Sequence, residues 1–300
     1  DTQIRNALWR AQQDCFGHGL TMVADAGLDL PVLRVIEALQ ASDSLRMRIY
    51  AMLSPDTATL NSYFMEPRTT DEQLIIRSVK LYADGALGSR GALLLEPYAD
   101  SPGHRGLEVD TEDRMREVCS LAHERGFQVN IHCIGDAAVR NVLDVYSEFL
   151  LPGNDLRWRI EHAQVVHPDD LPRFGALAVV PSIQATHATS DMYWAGERLG
   201  ERLSTAYAYH DLLGQNDWIP NGTDFPIEDI SPIKTFYASV FRKDLQGYPE
   251  GGFQMENALS REEALRSITI WAARSCFAEH FTGSLEPGKK ADFVVLSGDI

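Results

Sequence analysis

Short apolar segments alternate with amphipathic helical segments along most of this chain, and this alternation limits the fold more than any other feature. Seven such segments between residues 20 and 224 have the length and composition of buried strands. Strands that alternate with helices form right-handed βαβ units with a parallel sheet, as either a closed barrel or a doubly wound open sheet. The predicted strands lie at residues 20–24, 46–53, 78–83, 129–131, 157–162, 176–183 and 217–221.

Helical periodicity fills the spaces between these strands. A capping box, Ser260-x-x-Glu263, predicts that a further helix begins there and runs to about residue 277. Residues 84–110 are rich in glycine and show no clear period, and loops of this length inside a compact domain usually carry function. The other predicted helices lie at residues 3–16, 31–40, 56–65, 70–77, 110–125, 137–150, 169–174, 204–213 and 233–241.

Two observations favour a barrel over an open sheet. No Gly-x-Gly-x-x-Gly motif follows any predicted strand, which argues against a dinucleotide-binding sheet. Polar residues follow several different strands, whereas an open sheet concentrates its site at one switch point. We therefore expect an α/β chain with a (β/α)8-type barrel, of which seven strands are present.

The clearest polar strand end lies in residues 126–136, GFQVNIHCIGD. Because side chains alternate along a strand, Asn130 and His132 share one face, at the end where such barrels place catalytic residues. A single histidine in this place is more often a hydrogen-bonded core residue than a ligand. The same pattern recurs, however, at three other strand ends. The residues there are Lys80, His162 and Asp224.

Each of these residues alone has a structural explanation: Lys80 as an ion-paired lysine, His162 as a core histidine, and Asp224 as a helix cap. Together they supply imidazole nitrogen and carboxylate oxygen, the ligands of zinc and similar divalent ions. A lysine carboxylated on its amine adds an anionic oxygen that can bridge two ions. A bound ion lowers the pKa of a coordinated water towards about 7, and an aspartate can pass the released proton to a leaving nitrogen.

Composition argues against two classes of partner. The net charge is −16 and the pI about 4.9, whereas nucleic-acid binding requires a basic face. No apolar run approaches the roughly 20 residues that span a bilayer. The cysteines show no paired spacing, which favours free thiols in a reducing compartment such as the cytoplasm. They are Cys15, Cys119, Cys133 and Cys276.

The motifs together resemble one family. The order Lys80, His132, His162, Asp224 resembles the amidohydrolase superfamily, whose ligands lie at the ends of barrel strands four, five, six and eight. More narrowly, the chain is similar to the amidohydrolase type 3 group, which includes the YtcJ-like proteins and the N-substituted formamide deformylases. The similar segments are VKLYADGALGSRGALLLEPYAD, HCIGDAAVRNVLDV, IEHAQVVHPDDLPRF, QATHATSDMYWAGERLG and GSLEPGKKADFVVLS.

The resemblance implies a metal-dependent hydrolase that acts on C–N bonds of small amide-like or formamide-like molecules. One or two divalent ions, with zinc expected first, would be held by His132, His162, Asp224 and a carboxylated Lys80, and Asp224 would also be the catalytic proton shuttle. The family carries two more ligands in a His-x-His motif on strand one. No His-x-His occurs in these 300 residues. We therefore expect this chain alone to be weakly metallated or empty, and nearly inactive.

The resemblance also implies two domains. Residues 1–284 would form barrel strands two to eight, with strand one absent from the chain. Residues 285–300 would begin a C-terminal β-sandwich domain, with its first strand at 291–296. A barrel without strand one has two exposed strand edges, at residues 20–24 and 217–221. Such edges favour association with another chain, such as a second copy, or occupation of the gap by a local segment.

Three further residues are candidates for substrate binding. His187 lies just past the strand at 176–183, where the family places a substrate-facing residue, although a loop histidine is the alternative. Asp84 and Arg90 lie in the loop after the lysine strand and could bind a polar group, with a surface ion pair as the alternative. Glu161 precedes His162, so alternation predicts that it points away from the barrel interior and is structural.

Two other functions stay open at this stage. A non-catalytic homologue would keep the barrel as a binding protein, and the missing His-x-His motif favours this alternative. A hydrolase of ester, lactone or phosphoester bonds could use the same scaffold, because loops rather than the fold set the substrate.

Overall fold

The structure is a computed structural model and describes residues 2–66, 68–70 and 72–300. Its centre is a curled sheet in which six strands pair in parallel, in the order β1-β2-β4-β5-β6-β7, while β3 runs antiparallel to β4. The strands are β1 (Met22–Leu28), β2 (Arg48–Leu53), β3 (Arg68–Thr70), β4 (Leu74–Tyr82), β5 (Gln128–Cys133), β6 (Arg159–His162) and β7 (Val180–Ser182).

Helices connect these strands and cover the outer face of the sheet. The predicted capping box is present: the Ser260 hydroxyl accepts from the backbone N–H of Glu263, whose carboxylate accepts from the N–H of Ser260. The helices are α1 (Thr2–Gly17), α2 (Leu30–Ala41), α3 (Thr57–Tyr63), α4 (Glu112–Arg125), α5 (Asp136–Ser147), α6 (Leu171–Leu177), α7 (Ala185–Asp191), α8 (Ala195–Leu199), α9 (Tyr209–Asn216), α10 (Pro232–Phe241), α11 (Arg261–Ser267) and α12 (Ile270–Ser275), with 3-10 turns at Gly200–Thr205 and Met255–Asn257.

Alternation along the strands separates an apolar outer layer from a polar interior. The fully buried side chains of Val79, Leu81 and Val129 belong to the main apolar core. The residues between them point to the concave side, where Lys80 lies opposite Asn130. This arrangement is a partial (β/α) barrel, so the predicted fold class is confirmed, and it places polar side chains at the carboxyl ends of the strands.

Residues 70–77 were predicted to be helical, and this prediction is wrong. The structure places Arg68–Thr70 in β3 and Leu74–Tyr82 in β4, which pair with each other and continue the sheet. The apolar run Leu74–Ile76 is buried on both faces of the sheet, and such runs have no period that separates a strand from a helix. The two β-branched isoleucines favour the strand.

The predicted strand at residues 217–221 is reduced to one parallel bridge, between Ile183 and Asn221. Asp217 has a left-handed backbone, with φ of 61°, and Pro220 has no N–H to donate, so a longer ladder cannot form. Residues 291–296 pair with no strand among the described residues, and so do not form the predicted strand. Their assignment to a second domain stays a prediction.

No helix in the described part of the chain is both long and apolar enough to cross a bilayer. The four cysteines are all free and buried.

Candidate metal centre

The predicted ligands come from neighbouring strands of the sheet. Lys80 lies near the end of β4, His132 lies in β5, and His162 ends β6. Asp224 follows the bridge at Asn221, which continues the sheet beyond β7. Because these strands are parallel, their carboxyl ends meet at one rim, and the four side chains are brought to the same region.

Three residues at this rim have a backbone that side chains rarely adopt. The φ angles are 74° at His162, 44° at Ala163 and 52° at Asp224. A left-handed backbone costs free energy for any residue with a Cβ, although histidine and aspartate tolerate it better than most. Such outliers collect at functional sites, where surrounding structure holds them in place.

The side chains converge on one cluster. One ligand atom from each of His162, His187 and Asp224 lies within 4.8 Å of the other two. The ring of His132 is next to it, with its centroid 4.5 Å from that of His162. The structure thus brings together two of the four predicted ligands, His162 and Asp224, with His187, the predicted substrate-facing residue, and places His132 beside His162.

Two of these histidines are in the neutral form that binds metal, and each keeps a ring nitrogen without a hydrogen bond within the described part of the chain. Burial, followed by the charge of Lys80, lowers the pKa of His132 to about 4, and burial also lowers the pKa of His162 well below its usual value. Nε2 of His132 and Nδ1 of His162 are buried and accept or donate no hydrogen bond among the described residues. Neutral imidazoles with free nitrogens beside a carboxylate fit a zinc-like divalent ion.

His187 differs electrostatically from the other two histidines. Burial acts to lower its pKa, but hydrogen bonding to Asp224 and Glu228 outweighs burial and raises the pKa to about 9. Its Nε2 lies 3.6 Å from Oδ2 of Asp224, and its Nδ1 lies 3.1 Å from Oε1 of Glu228. His187 therefore lies between two carboxylates.

Glu161 points into the barrel, so the expectation that it faces away from the interior is wrong. It lies opposite His132 in the register, beside Arg159, whose Nη1 is 3.4 Å from its Oε1. The left-handed backbone of His162 breaks the alternation, and both Glu161 and His162 can therefore reach the concave side. Burial lowers the pKa of Lys80, and the charge of Glu161 acts most strongly against this effect.

Lys80 and Asn130 form a polar layer below the histidines. Lys80 is 4% exposed, and its Nζ lies 4.7 Å from the ring centroid of Tyr82, on the same face of β4. Both polar atoms of the Asn130 amide are buried without a hydrogen-bond partner among the described residues. The amine is therefore directed into the barrel interior and not towards the outer helices.

The carboxylate of Asp84 is occupied by backbone groups. It accepts hydrogen bonds from the N–H groups of Leu93, Ile134 and Gly135 at 2.8–3.0 Å, and its Oδ1 lies 3.5 Å from Nε2 of His132. Burial raises the pKa of Asp84 to about 7, while the N–H donors act in the opposite direction. Asp84 thus ties the long loop to the turn that follows His132.

Arg90 is engaged elsewhere. Its guanidinium pairs with Asp100, with Nη2 2.8 Å from Oδ2, and Asp100 also pairs with Arg198. This is the surface ion pair that the sequence left open as the alternative.

Sequence reasoning missed Glu228. It lies in the loop between Asp224 and α10, and its carboxylate contacts His187 and accepts from the hydroxyl of Ser190 at 2.6 Å. No periodic pattern covers this loop, so the only available signal was an acidic residue four positions after a predicted ligand.

Together, the fold and the site define a class: α/β proteins with a partial parallel barrel and histidines beside a carboxylate at its rim. Comparison with known families gives the family itself. The profile of the amidohydrolase family, in its type 3 form, matches residues 1–300, and the chain belongs to that family.

Individual relatives agree with this membership. The chain is 34% identical to the protein LONG AFTER FAR-RED 3 of Arabidopsis thaliana over 98% of its length and 53% of the relative. It is 29% identical to the putative amidohydrolase YtcJ of Bacillus subtilis, over 99% of the chain and 56% of the relative. A solved metal-dependent hydrolase of uncharacterised function from Pyrococcus horikoshii superposes with a TM-score of 0.88 at 32% identity, over 99% of this chain and 60% of the other.

The chain therefore spans about half the length of the curated relatives it matches.

Proposed function

We propose that this protein is a metal-dependent hydrolase that cleaves C–N bonds in small amide-like or formamide-like molecules. The observation that carries this proposal is the group of ligand atoms from His162, His187 and Asp224 at the rim of the barrel, with the ring of His132 4.5 Å from that of His162. His132 and His162 each keep one buried ring nitrogen without a hydrogen-bond partner among the described residues. Membership of the amidohydrolase family and similarity to a solved metal-dependent hydrolase support it.

In this proposal His132, His162 and Asp224 hold a divalent ion, with zinc the best match to imidazole and carboxylate ligands. The ion would supply Lewis acidity towards the substrate carbonyl and towards a water molecule. Lys80 would join the site in its carboxylated form, which adds an anionic oxygen and removes the cost of a buried ammonium. As a plain lysine it would instead be stabilised by the charge of Glu161.

The chain's own residues would handle the proton and orient the substrate. Asp224 has a side chain that is 39% exposed, so its carboxylate can reach a bound substrate as well as the cluster. It would take a proton from the attacking water at Oδ2 and deliver it to the leaving nitrogen of the substrate. His187, 3.6 Å from that oxygen, would hold the carboxylate in place and contact the substrate.

The side chains of the other two predicted substrate-binding residues, Arg90 and Asp84, already have partners. Substrate binding by Arg90 would require its release from Asp100. Asp84 would act by positioning, because backbone N–H groups already occupy its carboxylate. We also propose that the protein works in a reducing compartment such as the cytoplasm, since its four cysteines are free.

A binding protein without catalysis is the second candidate. The observation that favours it is the 34% identity to LONG AFTER FAR-RED 3, a relative whose name states no catalytic activity. Such a protein would bind a metal ion or a ligand at the cluster but would not hydrolyse that ligand.

The test combines metal analysis with a substrate panel. We expect the protein to bind an added divalent metal, weakly because no His-x-His motif contributes ligands, and to hydrolyse amides or formamides slowly but faster than esters, lactones and phosphoesters. Asp224→Asn should reduce kcat by at least about 100-fold, the usual contribution of a positioned acid–base group.

The matched control is Asp229→Asn, an exposed aspartate five residues further along the chain. Bound metal with no turnover of any substrate would favour the binding protein. Turnover of esters or phosphoesters alone would contradict the C–N assignment.

A further inference from the structure

The ring of His187 occupies a place that the expected ligand set does not explain. It is buried and nearly parallel to the ring of His162, with an angle of 24° and centroids 5.7 Å apart. Its Nε2 is on the side of Asp224, and one ligand atom from each of His162, His187 and Asp224 lies within 4.8 Å of the other two. His132 lies outside this group, and its Nε2 is turned towards Asp84.

The far side of the His187 ring is held by a carboxylate. Oε1 of Glu228 lies 3.1 Å from Nδ1, and the hydroxyl of Ser190 donates to the same carboxylate oxygen at 2.6 Å. The Ser190 hydroxyl also approaches the carbonyl oxygen of His187, at 3.3 Å. A carboxylate on one imidazole nitrogen fixes the proton there and leaves the other nitrogen free to bind a metal.

Distances within the group are close to those of a bound ion. Zinc–nitrogen and zinc–oxygen bonds are about 2.0–2.2 Å, so ligand atoms around one ion are roughly 3–4 Å apart. His162, His187 and Asp224 meet this range within about 1 Å, since their ligand atoms already lie within 4.8 Å of one another.

We propose that His187 is itself a metal ligand, which binds a divalent cation through Nε2 together with His162 and Asp224, and that Glu228 is its supporting carboxylate. The inference rests on the proposed metal dependence but changes the ligand set: His187 moves from the substrate side to the metal. The same geometry also suits an imidazolium held between two carboxylates without any metal role, and the experiment must separate these two states.

The experiment titrates Co²⁺ and Zn²⁺ into the metal-free protein and follows affinity by calorimetry and the visible absorption of Co²⁺. We expect His187→Gln to weaken binding by at least 100-fold and to alter the Co²⁺ spectrum. Glu228→Gln keeps the shape of the side chain but removes the charge, and should weaken binding by about 10–100-fold. His210→Gln, at an exposed position in α9, is the matched control and should bind as the unchanged protein does.

Two results would overturn the inference. If the protein binds Co²⁺ and His187→Gln leaves both affinity and spectrum unchanged, His187 is not a ligand, and the metal-dependent function still stands. If the unchanged protein binds neither ion, the proposed function fails together with the inference. Should His187→Gln lose its fold by circular dichroism, the Glu228→Gln result decides, because unchanged affinity in that variant excludes a supporting carboxylate.

Discussion

Asp84 joins the long loop after β4 to the turn after β5, next to the candidate site. Three backbone N–H groups, from Leu93, Ile134 and Gly135, donate to its carboxylate in an environment without solvent. The last two of these groups belong to the turn directly after His132. Asp84 therefore fixes the end of β5 and the start of the long loop relative to each other.

Removal of the Asp84 carboxylate should cost far more than removal of a surface charge. In Asp84→Ala three N–H groups lose their acceptor, two of them in buried hydrogen bonds, and each buried group without an acceptor costs about 1–3 kcal/mol. We expect the free energy of unfolding to fall by roughly 3 kcal/mol or more in urea titrations. Asp113→Ala, whose side chain is 98% exposed, should stay within about 1 kcal/mol. Equal losses in the two variants would contradict the positioning role.

Glu161 is the carboxylate beside two buried cationic side chains, Arg159 and Lys80. Its removal should lower the free energy of unfolding. Arg159 is 3.4 Å away, and the charge of Glu161 raises the pKa of Lys80 against the effect of burial. Breaking a buried pair leaves an uncompensated charge and typically costs about 3–5 kcal/mol. We expect Glu161→Gln to lower the free energy of unfolding by about 3 kcal/mol.

The control for this variant is Glu117→Gln, which removes an exposed partner of Arg114 and should cost less than about 1 kcal/mol. Guanidine unfolding followed by tryptophan fluorescence measures both variants. A Glu161→Gln protein as stable as the control would mean that Arg159 and Lys80 do not depend on this carboxylate.

The sequence predicted the identity of the strand-end residues but not their directions. Lys80, His132, His162 and Asp224 were found because polar residues at the ends of apolar strands are costly without a function. The direction of Glu161 was missed because alternation holds only while the backbone is extended, and His162 leaves the extended region at φ 74°. Side-chain direction at a strand end depends on this one backbone angle, which the residue type does not fix.

Among the elements, the turn between β5 and α5 is packed backbone against backbone. A Cβ built on Gly135 would lie 2.0 Å from the carbonyl oxygen of Leu93, in the long loop. That carbonyl also accepts from the N–H groups of Ala137 and Ala138, at the start of α5. The loop is therefore held against the N-terminus of α5, next to the candidate site.

Gly135→Ala should push the long loop away from α5. Because the new methyl group meets backbone atoms that cannot rotate away, we expect a loss of about 1–3 kcal/mol or more in unfolding free energy. Gly214→Ala is the matched control: it lies within α9 with no atom within 4 Å of the new Cβ, so it should gain roughly 0.5–1 kcal/mol from helix propensity. Chemical denaturation of both variants checks the opposite signs, and a gain in both would contradict the close packing.

The boundaries of helices were predicted most closely where the sequence shows helical periodicity or a capping residue. The helix with the capping box at Ser260 begins as expected, although the structure divides it into α11 and α12. The helix prediction for residues 70–77 failed because an apolar run is compatible with a buried helix and with a buried strand. Tertiary pairing with β2 decides that case, and pairing partners cannot be read from a local pattern.

At the scale of the whole molecule, the parallel sheet followed from the alternation of strands and helices, and the barrel followed from the polar residues at the ends of several strands. The parallel order was predictable because right-handed βαβ connections leave few alternatives. What the sequence could not give is how far the sheet continues beyond β7, because a proline and a left-handed aspartate leave only the bridge at Asn221. The single β-bridge between Ile183 and Asn221 depends on how two loops are placed next to each other, and strand propensity does not determine that placement.

The edge of β1 is a candidate site for association between two copies of this protein. β1 pairs with β2 on one side, and no strand of the described residues pairs with its other side. Unpaired strand edges recruit further strands. A net charge of −16 opposes this, but salt screens exposed charges beyond about 10 Å at 0.1 M. We therefore expect the protein to associate with itself, more strongly at 0.5 M than at 0.05 M salt.

Sedimentation velocity over a range of protein and salt concentrations measures this association. Ala24→Lys places a charge at an exposed position of β1 and should shift the protein towards monomer, because the ammonium must be desolvated when a second strand pairs there. Ala7→Lys makes the same change of charge at an exposed position of α1 and should leave the association unchanged. If both variants shift equally, net charge and not the strand edge controls association. If the unchanged protein is monomeric at every salt concentration, the β1 edge is not a site of association.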